Sequence, residues 1–309
     1  LIARGELVDG LNVWRSAVGQ FPETERGRKI ASRMTDTFAD LFLARGADTM
    51  DPVEALTVYY NFRELTPIGR RGDALIRDLA DRMVEVDLLD KAADLLQHQV
   101  DNRLRGAARS QVAAKLALIY LMNHQPAKAL QAIRSTKQVR LPDDLTNKRR
   151  LLEARALSDL GLYDHALDLL SETDAEGVAD LVAEIHWASQ QWDVAAVKFE
   201  EALGLRWRDP LELTAEERFQ VMRAAISYSL ADNAAGIERI RSKFGDLMRK
   251  SPDASSFAVV TDPIEMQGVA FRDLAKSVAA TDTLDSFVAS FKGSFSEPLA
   301  GDETGPAIN

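Results

Sequence analysis

Apolar residues recur three or four positions apart along most of the chain, which is the spacing of helices that bury one face. The stretch Leu160–Leu167 shows how two such runs are joined. Gly161 lies between the runs, and glycine adopts the backbone conformation that commonly ends a helix. Ala166 opens the second run, and its small side chain lets the two helices approach closely. The pattern predicts a hairpin of two antiparallel helices.

The same register recurs along the chain. Seven small residues occupy the position of Ala166 in successive hairpins: Gly10, Ala55, Ala92, Ala129, Ala166, Ala195 and Gly236. Three successive spacings in this series are 37 residues each. A large apolar residue follows each small one after four positions: Trp14, Tyr59, Leu96, Ile133, Leu170, Phe199 and Ile240. A fixed period of this length predicts an array of interlocking helical hairpins.

Periodicity and capping residues together delimit the helices. Asp51 before Pro52 and Thr214 before Glu217 are typical helix starts. The predicted helices cover residues 28–43, 53–65, 73–86, 89–100, 110–122, 126–135, 146–160, 165–170, 178–189, 193–203, 217–230 and 234–248. The first hairpin supplies only its second helix, around Leu11 and Trp14. Because that helix would leave an apolar face uncovered, we expect the chain to be a fragment of a longer protein.

The repeat pattern ends near Met248, which divides the chain into an array over residues 1–250, capping helices over 251–295 and an acidic, flexible tail over 296–309. Within the capping part we expect a loop over 251–261, with a short run at 257–260 that could be extended. Helices are predicted over 263–279 and 282–292. The last helix and the residues beyond it carry a stripe of four apolar side chains: Leu284, Phe287, Phe291 and Phe295.

This stripe must be buried, because three phenylalanine side chains are worth roughly 5–9 kcal/mol of burial. One interpretation is a capping helix that packs on the last hairpin or on helix 263–279. The other is a segment that folds back into a groove of the array or docks on another protein.

Composition narrows the classes of function. The net charge of −10 argues against a nucleic-acid partner. The chain contains no cysteine, and no apolar run approaches the length of a membrane span. We therefore expect no direct membrane insertion by this fragment, while a cytoplasmic and a periplasmic location both stay open.

No arrangement of residues indicates catalysis or metal binding. The four histidines, His98, His124, His165 and His186, never stand three or four positions apart as helical metal ligands do. Paired carboxylates such as Glu216 and Glu217 stand at helix starts, where the helix dipole accounts for them. We expect no catalytic residues, no metal and no cofactor.

The hairpins resemble the tetratricopeptide repeat. The resemblance is carried by Leu160-Gly161-Leu162-Tyr163-Asp164-His165-Ala166 and by Trp192-Asp193-Val194-Ala195, which is followed by Phe199 and Ala202. It covers about residues 1–250, with Pro52 and Pro126 standing where the family usually has an aromatic residue. The resemblance implies an all-α fold, in which helix pairs form a right-handed superhelix that ends in a C-terminal helical cap. The first helix of each pair would line a concave groove that binds peptides or partner helices.

If that geometry holds, residues of successive first helices line the groove. The candidate lining residues are Arg77, Asp81, Leu118, Leu121, Lys148, Arg155, Glu184, Trp187, Arg218 and Tyr228. This mixture of apolar, basic and acidic side chains suits an amphipathic helix or an extended peptide.

The sequence thus favours a protein–protein interaction scaffold or adaptor within a larger bacterial protein, with a protein or peptide partner. The alternative is a structural or dimerisation arm of a larger envelope-associated protein, and self-association stays open. An adaptor should have an open groove with Trp187 and Tyr228 accessible, whereas a structural arm should have its groove filled by its own tail or by a second copy. A cluster of strongly perturbed ionisable groups would instead favour an enzyme.

Overall fold

The computed structural model describes residues 7–43, 50–173, 175–261 and 284–291, together with the single positions 271, 275 and 278. Helices and the turns between them make up this described part, which contains no strand. None of its helices is both long and apolar enough to cross a membrane.

The helices are α1 (Leu7–Gln20), α2 (Glu25–Leu43), α3 (Pro52–Asn61), α4 (Arg70–Glu85), α5 (Leu89–Asn102), α6 (Gly106–Met122), α7 (Pro126–Ser135), α8 (Asp143–Asp159), α9 (Tyr163–Leu170), α10 (Val178–Ala188), α11 (Trp192–Leu203), α12 (Ala215–Leu230), α13 (Ala234–Arg249), α14 (Ala254–Thr261) and α15 (Leu284–Phe291).

The chain forms two compact units, residues 1–123 and 124–309. In the first unit each helix packs mainly on a near neighbour in the chain: α1 on α2, α2 and α3 on α4, α4 on α5, and α5 on α6. Its core contains the aromatic cluster of Phe38, Phe42 and Tyr59, in which Tyr59 joins α3 to α2.

The second unit follows the same rule of neighbouring pairs. Helix α8 packs on α7 and α9, and α10 packs on α8, α9 and α11. Helix α12 then packs on α11 and α13, and α14 lies against both α12 and α13. One apolar cluster runs through α10–α14 and includes Phe199, Phe244, Met248 and Phe257. The predicted all-helical fold with neighbouring helices packed in pairs is therefore confirmed.

The predicted register is also present in the packing. All seven small residues of the series are buried, and six of the seven large residues that follow them are buried as well. The exception is Trp14 of α1, which is half-buried. Close approach of helices at these points explains the sequence pattern, because a larger side chain would separate the two backbones.

Four of the turns between paired helices are closed in the same way. A residue with positive φ follows the first helix in each turn: Asp87, Gly161, Gln190 and Asp232. The next residue donates its backbone N–H to the carbonyl five positions earlier, as in Leu162 to Leu157 at 2.9 Å and Gln191 to His186 at 2.9 Å. This 6→1 bond is the Schellman motif, which ends a helix and reverses the chain. Only one of the four turns uses the glycine that favours this conformation.

The C-terminal part differs from the sequence prediction. The loop predicted over 251–261 is wrong, because α14 occupies Ala254–Thr261. Ser251 begins the turn before this helix, where its hydroxyl accepts the N–H of Asp253 at 3.2 Å. Phe257 and Val260, three positions apart, both enter the core, so this run is helical and not extended. Helix 282–292 is confirmed as α15.

Other predictions for this part lie largely outside the described residues. Of helix 263–279, only positions 271, 275 and 278 are described, and all three are helical. The tail over 296–309 and the side chain of Phe295 are outside the described part.

Among the described helical glycines of the second unit, Gly236 has the least room for a side chain. A Cβ at this position would meet the ring of Tyr228 well inside van der Waals distance. We expect Gly236→Ala to lower the free energy of unfolding by about 2 kcal/mol, because a packed core does not accept an added methyl group without strain. Urea denaturation measures this change. Gly245→Ala in the same helix is the control: its Cβ would enter open space, so it should stabilise by about 0.5–1 kcal/mol. Equal effects of both variants would contradict the packing described here.

Candidate interaction groove

Helix α15 places three apolar side chains on one face. Leu284, Phe287 and Phe291 stand three and four positions apart, and the rings of Phe287 and Phe291 lie 5.0 Å apart between centroids. Leu284 is 6% exposed and Phe291 is 4% exposed, whereas Ala289 on the other side is exposed. The helix therefore docks through this stripe on another part of the second unit.

The docking face is built from α8, α10 and α12, which are the first helices of three successive hairpins. Phe287 and Phe291 line a cavity of about 530 Å³ together with residues of these helices and of the turn before α10: Leu151, Gly177, Asp180, Leu181, Glu184, Glu216 and Gln220. We call this face, with α15 lying on it, the groove. Helices α10 and α12 each contribute residues three or four positions apart, as a single helical face requires.

Arg155 joins α8 to α10 at the floor of the groove. Its Nε donates to Oδ1 of Asp159 at 2.9 Å, and its Nη1 donates to Oε2 of Glu184 at 3.4 Å. The guanidinium carbon lies 5.5 Å from the centroid of the Phe287 ring. A cation over an aromatic face is favourable, so this arginine contributes directly to holding α15.

Glu184 continues the charged chain to α12. Its Oε1 lies 4.0 Å from Nη1 of Arg223. The Arg223 side chain is buried among aromatic rings, with its guanidinium 4.7 Å from the Phe219 centroid and 5.0 Å from that of Trp187. Burial lowers the pKa of Arg223 while Glu184 raises it. An arginine stays protonated under such a shift, so Glu184 lies between two cations.

Asp180 and Lys148 line the two cavities beside the aromatic pair. Burial raises the pKa of Asp180, the charge of Glu216 raises it further, and a hydrogen bond from Nε2 of Gln220 at 2.9 Å opposes both effects. Lys148 lines a second cavity of about 420 Å³ with Leu151 and Phe291. Its ammonium group pairs with Asp144 at 2.6 Å.

Three of the predicted lining residues meet in this groove. Lys148, Arg155 and Glu184 lie on the predicted helix faces and surround the two rings of α15. Of the predicted stripe, Leu284, Phe287 and Phe291 are described and lie on one face of α15. The positions of Lys148, Arg155 and Glu184 on this side of α8 and α10 follow from the helical periodicity of the two helices.

Three other predicted lining residues of the second unit do not line the groove. Trp187 is buried in its own hairpin, where its ring contacts Trp192 and Phe199. Arg218 donates from Nε to Oδ2 of Asp253 at 2.7 Å, which fixes the start of α14 on α12. Tyr228 is completely buried against α13. The expectation that Trp187 and Tyr228 are accessible is therefore wrong, because the hairpins themselves enclose both rings.

The remaining four predicted residues belong to the first unit. Arg77 is half-buried on α4. Asp81 on the same helix pairs with Lys115 of α6. Leu118 and Leu121 are buried within α6.

The face of α12 was missed by the sequence analysis. The residues that reach the groove are Glu216, Gln220 and Arg223, which share one helical face, whereas the prediction selected Arg218 and Tyr228. The turn after α12 also differs in length, because its positive-φ residue, Asp232, stands four positions before Gly236, whereas Gly161 stands five positions before Ala166. The capping box at Thr214 and Glu217, which is present, was the signal that could have set the face of this helix.

Within the described part of the chain, no group of three or more His, Asp or Glu side chains is arranged to hold a metal ion. The shifted groups of the groove, Asp180 and Arg223, owe their shifts mainly to burial.

In comparisons with known proteins, no protein-family model and no curated protein matches the chain.

Tyr228 belongs to a polar clamp that joins α11, α12 and α13. Glu200 accepts hydrogen bonds from the Tyr228 hydroxyl at 2.6 Å, from Arg239 at 2.9 Å and from Lys243 at 2.7 Å. Burial alone would raise the pKa of Glu200, but these hydrogen bonds outweigh it and lower the pKa to about 2. The carboxylate thus stabilises the folded state only while it is ionised.

We expect Glu200→Gln to lower the free energy of unfolding by about 2 kcal/mol near neutral pH, as for other hydrogen bonds to charged groups. Because the folded pKa lies below the usual 4.5, the contribution is fully present above about pH 4.5 and disappears as the pH falls towards 2. Urea denaturation of both proteins between pH 2 and 7 measures the difference. Glu201→Gln is the control, since Glu201 pairs only with the exposed Lys198 among the contacts found. A pH-independent difference would contradict the role of the clamp.

Proposed function

We propose that this protein is a protein–protein interaction module, built from stacked helical hairpins of the tetratricopeptide type, whose groove binds an apolar helix. The recurring buried small residues and the shared turn geometry support a stacked array. Helix α14, which covers α12 and α13, has the position expected of a cap on the last hairpin.

One observation carries the proposal: the groove already holds a helix. The rings of Phe287 and Phe291 line one cavity with Leu151 and Leu181, and Arg155 faces the ring of Phe287. Helices that bind grooves of this kind do so through apolar residues three and four positions apart. The packing of the protein's own segment supports an apolar helix as the ligand of the groove.

The length of α15 supports its exchange for another ligand. It has eight residues, and isolated helices this short are not stable in water. Its structure therefore depends on the groove. A longer partner helix that is already folded would lose less conformational entropy on binding, and it would therefore compete with α15 for the groove.

The second candidate function is the structural arm. The filled groove is the observation that favours it, because a structural arm needs no free binding face. Burial of Trp187 and Tyr228 does not separate the two functions, since both rings are enclosed by their own hairpins. The two candidates differ in whether α15 can be replaced.

A peptide with the sequence of residues 281–295 tests the proposal in trans. We expect it to bind the full chain carrying Phe287→Ala and Phe291→Ala, with a dissociation constant on the order of 10 μM, a value typical of a small helix interface. The unsubstituted chain should bind it at least about tenfold more weakly, because its own helix competes. Fluorescence anisotropy of a labelled peptide measures both values.

The matched control is the same peptide with both phenylalanines replaced by alanine, which should not bind. If the first peptide binds neither protein, the groove does not accept helices in exchange and the structural arm is the better account.

A further inference from the structure

Arg155 presents a fixed, nearly buried positive charge to the ligand of the groove. Its side chain is 9% exposed. Its Nε donates to Asp159 on its own helix, and its Nη1 donates to Glu184 of α10. The N–H groups of a guanidinium point outward in its plane. These hydrogen bonds therefore use the edge of the group and hold it in one orientation, while an aromatic ring can cover its flat face.

The ring of Phe287 takes this position over the guanidinium. The distance of 5.5 Å from the guanidinium carbon to the ring centroid lies within the range of cation–π attraction. The attraction is stronger where water is excluded. An aliphatic side chain of similar volume would bury a similar apolar surface, but it has no negative face to offer the cation. The contact therefore favours an aromatic side chain over an aliphatic one.

The charges around this position disfavour ionised side chains of either sign. A lysine or arginine of the ligand would meet the positive charge of Arg155. An aspartate or glutamate would come next to Asp180 and Glu184, which line the same cavity as the Phe287 ring. Like charges repel strongly at short range where water is partly excluded. A neutral aromatic ring avoids both kinds of repulsion and still attracts the cation.

We propose that Arg155 is a specificity-determining residue of the groove, and that the partner is a helix with an aromatic side chain at the position of Phe287. Helices with leucine, isoleucine or valine there are weaker ligands. This inference rests on the proposed function and specifies the chemistry of the partner.

The test uses the full chain with Phe287→Ala and Phe291→Ala, and peptides of residues 281–295 that differ only in the side chain at position 287. Adding fluorine atoms to the phenylalanine ring, one after another, weakens its negative face while its shape changes little. We expect affinity to fall steadily along this series, to about three- to tenfold below that of the unmodified peptide. Hydrophobic burial alone predicts no such fall, because fluorine makes the ring more apolar. Fluorescence anisotropy measures each dissociation constant.

Cyclohexylalanine at position 287 is the matched aliphatic control, since it keeps the size of the ring without its π electrons. It should also bind about three- to tenfold more weakly than phenylalanine. In a chain that additionally carries Arg155→Met, both differences should shrink to less than about twofold, because the cation is absent. Circular dichroism verifies that this chain is folded.

The inference is overturned if fluorination leaves the affinity unchanged and cyclohexylalanine binds as tightly as phenylalanine. It is also overturned if the preference for phenylalanine persists in the folded Arg155→Met chain. The fluorinated series requires no change at Arg155, so it decides the question even if that variant does not fold. Failure of the proposed function gives a different result: the unmodified peptide itself does not bind, and the inference falls with it.

Discussion

Close approach of neighbouring helices at one small residue per hairpin is the constraint on which the rest of the structure depends. Ala166 and Ala195 are completely buried at these points, and Gly236 leaves room only for the ring of Tyr228. The turns support this approach, because the 6→1 bond reverses the chain within a few residues. Residues of α8, α10 and α12 then line one cavity together with the two rings of α15.

Charged side chains then tie the aligned helices together at the groove. Asp159, Arg155, Glu184 and Arg223 form a continuous chain from α8 to α12. A buried ion pair is stable only when most of its charge is compensated, and the alternation of signs along this chain provides such compensation. The same arginine that joins α8 to α10 also faces Phe287. The interactions that hold the scaffold and those that hold α15 thus share one side chain.

Helical periodicity made much of this fold predictable. The ends of α7 were predicted to the residue. Lys148, Arg155 and Glu184, which were selected from the periodicity of the chain, lie beside the rings of α15. Prediction failed where tertiary packing decides. A loop was predicted over 251–261, but Phe257 and Val260 enter the core from a helix there. On α12, Tyr228 packs against Gly236 of α13, and Gln220 lines the groove. The sequence also left open whether the aromatic stripe caps the array or enters the groove, because that depends on three-dimensional contacts.

The central claim is that α15 occupies a binding groove from which another helix can displace it. Hydrogen exchange of the unsubstituted chain, followed by mass spectrometry over residues 284–291, tests this directly. With increasing concentrations of a 281–295 peptide labelled with ¹⁵N, which mass separates from the same segment of the chain, exchange in α15 should accelerate while exchange in α8 and α10 stays slow, since the groove remains covered. Binding of the peptide without any change in the exchange of α15 would contradict the claim.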